Sequence, residues 1–416
     1  MNFSANKQPE LQTKTSDRKI VLIFSANYLP NLGGVEKFTY HLSLELERIG
    51  HHAIIVTNNV FNLAEYEIHE SGFEIFRLPC HSLLKGRLPI PHKNKSFNQL
   101  IEAIKHRNID YVLINTRFYP HSLLGAKIAR QKNIKPVIID HGSAYLTLGN
   151  PFLDFAIKIY EHLITILLNR YQGDYYGISQ ASLNWLKTFR IKGQGVINNS
   201  IDADVYLSHA SNRNYKIELN LNKKDYIVCF TGRLIPEKGI IPLLNCAEYL
   251  INLRPDIHFV FAGDGPLKKL LLNKDLSNVH LLGKTTSEDI AALLVQSDIF
   301  CLPTRSEGFS TSLLEASACY TPSIITDVGG VAELIPTSDY GIILKDTSVK
   351  SLSDAITHLA SNKEETYRLG QNIGKYVRRH FSWRITAEKV LNACYDANYT
   401  FFSNAPEAAQ TFNHKN

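Results

Sequence analysis

An α/β fold of two Rossmann-like units is predicted on three observations. The 416 residues exceed what one hydrophobic core organises, and two units of roughly 200 residues are the natural division. Short apolar runs without alternation, such as residues 19–24 and 226–230, read as strands buried on both faces of a parallel sheet. Glycine-bearing turns and helical patterns follow such runs in both halves, as successive βα units do.

Composition narrows the function. Hydrophobic content of 44% with 20% charged residues describes a globular chain, and a net charge of +6 is too small for a nucleic-acid-binding balance. That mild excess suits an anionic nucleotide or an anionic membrane surface. The six cysteines, Cys80, Cys229, Cys246, Cys301, Cys319 and Cys394, form no CxxC pair and read as reduced thiols of a cytoplasmic protein. Residues 1–17 are polar, lack the apolar core of a signal peptide, and are expected to be disordered. No run of about 18 apolar residues occurs, so no membrane span is expected.

In chain order, the strand at 19–24 is followed by Gly33-Gly34-Val35-Glu36, a helical pattern from Lys37 to Ile49 and a closing Gly50. The second strand, 53–57, completes a βαβ opening. It lacks the GxGxxG spacing and the acidic residue of a dinucleotide site, which weighs against an oxidoreductase. A first βα turn lies at the carboxyl edge of the sheet, so Gly33 and Gly34 are read as a ligand loop; a tight turn is the plainer alternative. Strands at 111–115 and 136–140 follow, the second ending in His141-Gly142 at that same edge. A histidine there is either a satisfied structural residue or a functional one, and the functional reading is adopted.

Residues 150–170 form an amphipathic helix, with Asp154, Lys158, Glu161 and His162 on one face. Packing into the first unit's core is expected, with contact to a lipid-linked acceptor at a membrane as the minor alternative. Asp202-Ala203-Asp204 resembles a metal-binding DxD, but capping of the following helix accounts for it and no metal is expected.

Polar residues 208–224 read as the linker into the second unit. There Gly232-Arg233 and Lys238-Gly239 flank a turn at a strand's carboxyl end, where two cations could clamp a diphosphate, with a solvated charged loop as the alternative. The next strand, 258–262, ends at Gly263, and 280–283 ends at Gly283. A strand to Pro303, a turn with Glu307 and Gly308, and a helix beginning near Ser310 then follow. Free amides at such a helix start suit a phosphate, and Gly308 admits close approach of a ligand. Glu307 and Glu315 stand eight residues apart, one in the turn and one about a turn into the helix, where a carboxylate can accept from ribose hydroxyls. Asp327-Val328-Gly329-Gly330 with Glu333 repeats the strand–glycine–helix design as a second phosphate or sugar cradle.

Glu307-Gly308-Phe309 followed by Glu315 resembles the Glu-x7-Glu signature of the family-4 retaining glycosyltransferases. The Gly33-Gly34 loop, His141-Gly142, the Gly232-Arg233…Glu237-Lys238-Gly239 element and Phe381-Ser382-Trp383 resemble further family motifs in the family's order, across residues 19–397. Ser310, where the family commonly has glycine, and Asn199-Ser200 depart from the pattern. The resemblance implies a GT-B fold, two Rossmann-like domains facing a cleft with the C-terminal helix crossing back to the first. The expected domains are residues 18–207 plus 381–402 on the acceptor side and 208–380 on the nucleotide-sugar side, with a loose tail at 403–416.

It implies transfer of a sugar from a nucleoside-diphosphate sugar to a glycan or lipid-linked acceptor, with retention and without metal or cofactor. Bacterial surface polysaccharide synthesis at the inner face of the cytoplasmic membrane is the expected setting. It assigns His141, Glu307, Arg233 and Lys238 to the chemistry. Donor binding falls to Gly33, Gly34, Gly232, Arg233, Lys238, Gly263, Gly283, Glu307, Gly308, Phe309, Ser310, Thr311 and Glu315. A GT-B-like sugar-nucleotide epimerase is the alternative; it would share the nucleotide cleft but need acid/base groups in place of an acceptor pocket.

Overall fold

The computed structural model of the chain describes residues 18–31, 33–147 and 150–403. The expected disorder of residues 1–17 lies outside them, as does the expected loose tail apart from Ser403, which ends the last helix. The strands of the first half are β1 (Ile20–Ser25), β2 (His52–Asn58), β3 (Tyr66–Ile68), β4 (Glu74–Leu78), β5 (Cys80–Leu83), β6 (Leu88–Pro91), β7 (Tyr111–Asn115), β8 (Val137–Asp140), β9 (Asp174–Gly177) and β10 (Gly195–Val196). Eight of them form a sheet in the order β10-β9-β8-β7-β1-β2-β4-β3, and β5 and β6 pair as a separate hairpin. All pairs in the large sheet are parallel except β3 with β4.

The second half contributes β11 (Tyr226–Thr231), β12 (Ile257–Ala262), β13 (Val279–Gly283), β14 (Ile299–Leu302), β15 (Ser323–Thr326) and β16 (Ile342–Leu344). They form one parallel sheet in the order β13-β12-β11-β14-β15-β16. Strand order reverses beside β1 in the first sheet and beside β11 in the second. The carboxyl ends of those strands are where an open α/β sheet leaves a crevice for ligand.

Burial explains the strand composition. β1 from Val21, β7, β8, β11, β14 and β15 are buried along their whole length because helices cover both faces, so apolar side chains need not alternate. The first helix, Gly34–Arg48, ends at Ile49, and Gly50 at φ +90° supplies the left-handed residue past the cap. Asp202 caps the helix Ala203–Ser208 by accepting from the Val205 amide, and Asp204 pairs with Arg378 at 2.7 Å.

The final helix, Trp383–Ser403, crosses from the second sheet back to the first. Trp383 stacks on His41 at 5.1 Å, Thr386 Oγ1 donates to the Asn198 carbonyl at 3.1 Å, and Asn398 Oδ1 accepts from the Lys135 amide at 3.0 Å.

Two expectations need correction. Residues 208–224 are not a bare linker: they include the short helix Tyr215–Glu218, Tyr215 is fully buried, and Arg213 pairs with Asp289 at 3.1 Å. The polar residues there serve as caps and anchors to the second unit. More consequentially, the helix Pro151–Asn169 does not pack its apolar face into a core. Phe152, Phe155, Ile159, Leu163 and Ile166 are exposed, while Glu161 is buried. Arg117 turns the helix this way round. Its guanidinium, only 1% exposed, bridges Glu161 at 2.9 Å and Asp140 at 3.2 Å, and it lies on the Phe189 ring at 3.7 Å. Cys80 is partly exposed, whereas the other five thiols are buried. Among the described residues no helix is long and apolar enough to cross a membrane.

Candidate active site in the interdomain cleft

On the second sheet three of the expected glycines stand in a row at the carboxyl edge. The Gly232 amide donates to the Ala262 carbonyl at 3.0 Å, and the Gly263 amide to the Gly283 carbonyl at 2.8 Å. Gly263, at φ +152°, is forced, because a side chain there would collide with the Gly232 carbonyl. Space is open above Gly283 and Gly34, where an added Cβ would meet nothing within 4 Å. Arg233 leaves this row with an exposed side chain and makes no ion pair among the described residues.

Lys238 ends the single helical turn Pro236–Lys238. That turn is tied to the segment after β14: Thr304 Oγ1 and the Arg305 amide donate to the Glu237 carbonyl at 2.9 and 2.8 Å. The tie brings the Lys238 ammonium onto the Glu307 carboxylate as an ion pair, with both side chains mostly covered. Glu307 thus sits in the cleft with its charge matched, at the edge where β11 and β14 part.

Helix Thr311–Ala318 starts beside it. Ser310 is the N-cap, its hydroxyl accepting from the Leu313 amide at 3.2 Å, so that side chain serves the helix. Where the family commonly has glycine, serine satisfies one orphan amide and leaves those of Thr311 and Ser312 without intrahelical partners. Phe309 is buried and packs on Phe381 with ring centroids 5.7 Å apart.

One turn in, Glu315 meets a residue that sequence reading passed over. Lys37, on the first helix of the other domain, reaches it at 3.5 Å across the cleft. Burial pushes the Glu315 carboxyl upward from its ordinary value, and the Lys37 ammonium draws it back.

The first domain closes over these groups. Ser143 Oγ donates to the Glu307 carbonyl at 2.8 Å, and Gly308 fits directly against the His141 carbonyl, leaving no room for a Cβ. The Gly330 segment packs on Phe309, and Glu333 accepts from the Gln180 amide of the first domain at 2.5 Å.

His141 follows β8, its ring edge against Phe38 at 4.9 Å, with Nε2 3.0 Å from Asn115 Oδ1. Because Asn115 Nδ2 donates to Thr39 Oγ1 at 2.9 Å, its Oδ1 faces the imidazole as an acceptor. That fixes the proton on Nε2 and leaves Nδ1 the basic nitrogen. Burial lowers the His141 pKa to about 3, so the ring is neutral at physiological pH. Neither Asn115 nor Lys37 carries a local motif signal; their roles exist only across strands and domains.

Gly33 is the N-cap of the first helix, and Glu36 is buried behind it, accepting from Asn31 Nδ2 at 2.7 Å. Burial raises its carboxyl too, against hydrogen bonds from its own backbone and Asn31 that lower it. The structure therefore gathers His141, Lys238, Glu307, Gly308 and the start of the Thr311–Ala318 helix into one place. Lys37 and Glu315 bridge the cleft beside them, and the glycine row lies along the β11–β13 edge. Among the described residues, no three His, Cys, Asp or Glu side chains converge as a metal site.

Two family models cover most of the chain: Glycosyltransferase Family 4 over residues 32–205 and Glycosyl transferases group 1 over residues 211–376. The chain belongs to the family-4 type of GT-B glycosyltransferases. An uncharacterized glycosyltransferase of Methanocaldococcus jannaschii is 27% identical over 383 residues, 88% of this chain and 96% of that protein. The human phosphatidylinositol N-acetylglucosaminyltransferase is likewise 27% identical in its matching polypeptide, over 397 residues, 89% of this chain and 74% of that protein. Among solved structures, Anabaena HepE in complex with UDP-glucose superposes with a TM-score of 0.66 at 18% identity, covering 91% of this chain and 99% of that one. Family membership makes the protein a glycosyltransferase, and its two parallel sheets with a returning C-terminal helix are the GT-B fold.

Proposed function

We propose that this glycosyltransferase moves a sugar, with retention, from a nucleoside-diphosphate sugar to a lipid-linked or glycan acceptor, without a metal. The observation that carries it is the single cluster in which Lys238, Glu307, the Thr311–Ala318 helix start and His141 meet at the cleft. HepE has been crystallised with UDP-glucose, which supports a nucleotide-sugar donor, and the human relative's name specifies a phosphatidylinositol acceptor, which supports a lipid one. A cytoplasmic-face location follows as part of this reading.

In this reading the bond between the anomeric carbon and the diphosphate oxygen breaks while the acceptor oxygen bonds to the same face of that carbon. The acceptor proton passes to the departing phosphate oxygen. Negative charge grows on the diphosphate, and Arg233, Lys238 and the amides of Thr311 and Ser312 stabilise it in a cleft from which closure excludes water. Glu307 holds sugar hydroxyls, Glu315 the ribose, and neutral His141 offers an uncharged contact to the sugar.

Incubation with radiolabelled UDP- and GDP-sugars and a lipid extract tests this. Release of nucleoside diphosphate with label on the lipid or glycan fraction is expected. Interconverted sugar nucleotide without acceptor labelling would identify an epimerase.

A further inference from the structure

The helix Pro151–Asn169 is built inside out. Along its outer side Phe152, Phe155, Ile159, Leu163 and Ile166 recur every three or four residues as one exposed stripe. Phe152 is 88% and Phe155 65% exposed, values that a core helix does not show. The inner side is pinned by polar bonds: Glu161 to Arg117, Tyr160 Oη donating to the Phe118 carbonyl at 2.9 Å, and Tyr145 Oη with His162 Nε2 at 2.9 Å. Rolling the stripe inward would pull Glu161 from Arg117 and leave a buried guanidinium facing Asp140 alone. The fold therefore commits the apolar side to the outside.

The rim of the stripe is cationic. Residues 118–194 hold nine Lys and Arg against four Asp and Glu. Of those four, Asp140 and Glu161 are buried on Arg117, and Asp174 pairs with Lys135 at 2.8 Å. Lys127 and Arg130 on the adjoining helix Pro120–Gln131 are exposed, as are Arg170 at the helix end and Lys187 and Arg190 beside Phe189, which packs on His162. A second copy docking by this face would set two such rims against each other. Anionic headgroups complement them instead.

We infer that this helix is a membrane-docking surface, lying flat with its apolar stripe in the headgroup region of an anionic bilayer. Nineteen residues give a helix of about 28 Å, and its polar inner side suits lying on a bilayer, not spanning it. Its start is one loop from the cleft: the chain leaves β8 at His141, Ser143 contacts the Glu307 carbonyl, and the helix begins after Asn150. A lipid-linked acceptor would then meet the cleft where its anchor remains in the bilayer. The benefit to turnover rests on the lipid-acceptor reading above; the docking itself does not.

Co-sedimentation with phosphatidylcholine vesicles, with and without about a third phosphatidylglycerol, tests the surface. The full chain is expected to bind the anionic vesicles at least ~10-fold more tightly than the neutral ones, and less at high salt. The double variant Phe152→Ser/Phe155→Ser should lose at least ~10-fold in vesicle affinity, since both rings insert apolar surface. Its melting temperature should be unchanged, both side chains being exposed. Wild-type protein left in the supernatant, or a double variant that binds as wild type does, overturns the inference. So does light scattering that shows a dimer which the variant converts to monomer, because a second copy then owns the face. Stabilisation by UDP or GDP, read by thermal shift in both proteins, reports the donor site separately.

Discussion

Replacing Glu315 by alanine tests the nucleotide cleft most directly. In the empty protein the Glu315 carboxylate meets Lys37 at 3.5 Å, and the Lys37 side chain is 44% exposed. A pair that open to solvent contributes at most about 1 kcal/mol, so the variant should fold with little change in melting temperature. With donor bound, the carboxylate would accept from both ribose hydroxyls. Two hydrogen bonds to a charged group amount to about 3 kcal/mol once solvent competition is counted, or roughly 150-fold in Kd. Calorimetric titration with UDP and GDP measures this on whichever nucleotide the wild type binds. Lys37→Ala provides the control, because it removes the cross-cleft partner and spares the ribose contact; its Kd should change only a few-fold. An unchanged Kd in Glu315→Ala would refute the placement of the ribose. A large fall in melting temperature would instead show that Glu315 holds the domains together.

Arg233→Ala and Lys238→Ala should each lower kcat/KM by at least tenfold, about 1.4 kcal/mol in transition-state stabilisation, as read in the radiolabelled transfer assay. Excess EDTA should leave that activity intact; loss restored by manganese would overturn the metal-free mechanism. Arg117→Ala strands Asp140 and Glu161 in the interior and should cost about 3–5 kcal/mol in urea unfolding, if the variant folds at all. His121 is buried with Nε2–H donated to the Val56 carbonyl at 2.8 Å, and burial lowers its pKa to about 4. The unfolded chain therefore takes up a proton near pH 6.5 that the folded chain refuses. Stability is full above that pH and falls as pH drops toward 4. Relative to wild type, His121→Gln should gain about 1.4 kcal/mol per pH unit through that window, measured by urea melts.

Sequence patterning reached most of the second domain because its signals are local. β11 and β12 are buried apolar runs, and Gly232, Gly263 and Gly283 mark strand ends where backbone crowding or a positive φ demands glycine. The region from β3 to β6 escaped notice for the opposite reason. β3 and the β5–β6 hairpin are exposed, and Pro89 and Pro91 break the pattern, so no buried run announces them. Lys37 and Glu315 are 278 residues apart, and Asn115 meets His141 only through the pairing of β7 with β8. The helix Pro151–Asn169 shows a different limit. Its period revealed two faces, but which one turns inward was decided by Arg117, a buried cation outside the helix.

The empty cleft neutralises its own charges in pairs, and that arrangement sets what a donor must do. Lys238 is matched by Glu307 and Lys37 by Glu315, so binding gains only the excess of new contacts over those it displaces. A bare anion would take Lys238 and leave Glu307 in the cleft without its partner, which is unfavourable. A nucleoside-diphosphate sugar replaces both sides: its phosphates take the lysine, its sugar hydroxyls take Glu307, and its ribose takes Glu315. Arg233, exposed and without an ion pair among the described residues, is the cation left to receive the diphosphate first. On this logic the cleft discriminates for the intact sugar nucleotide over its separate parts, because only the whole molecule compensates each carboxylate whose cation it removes.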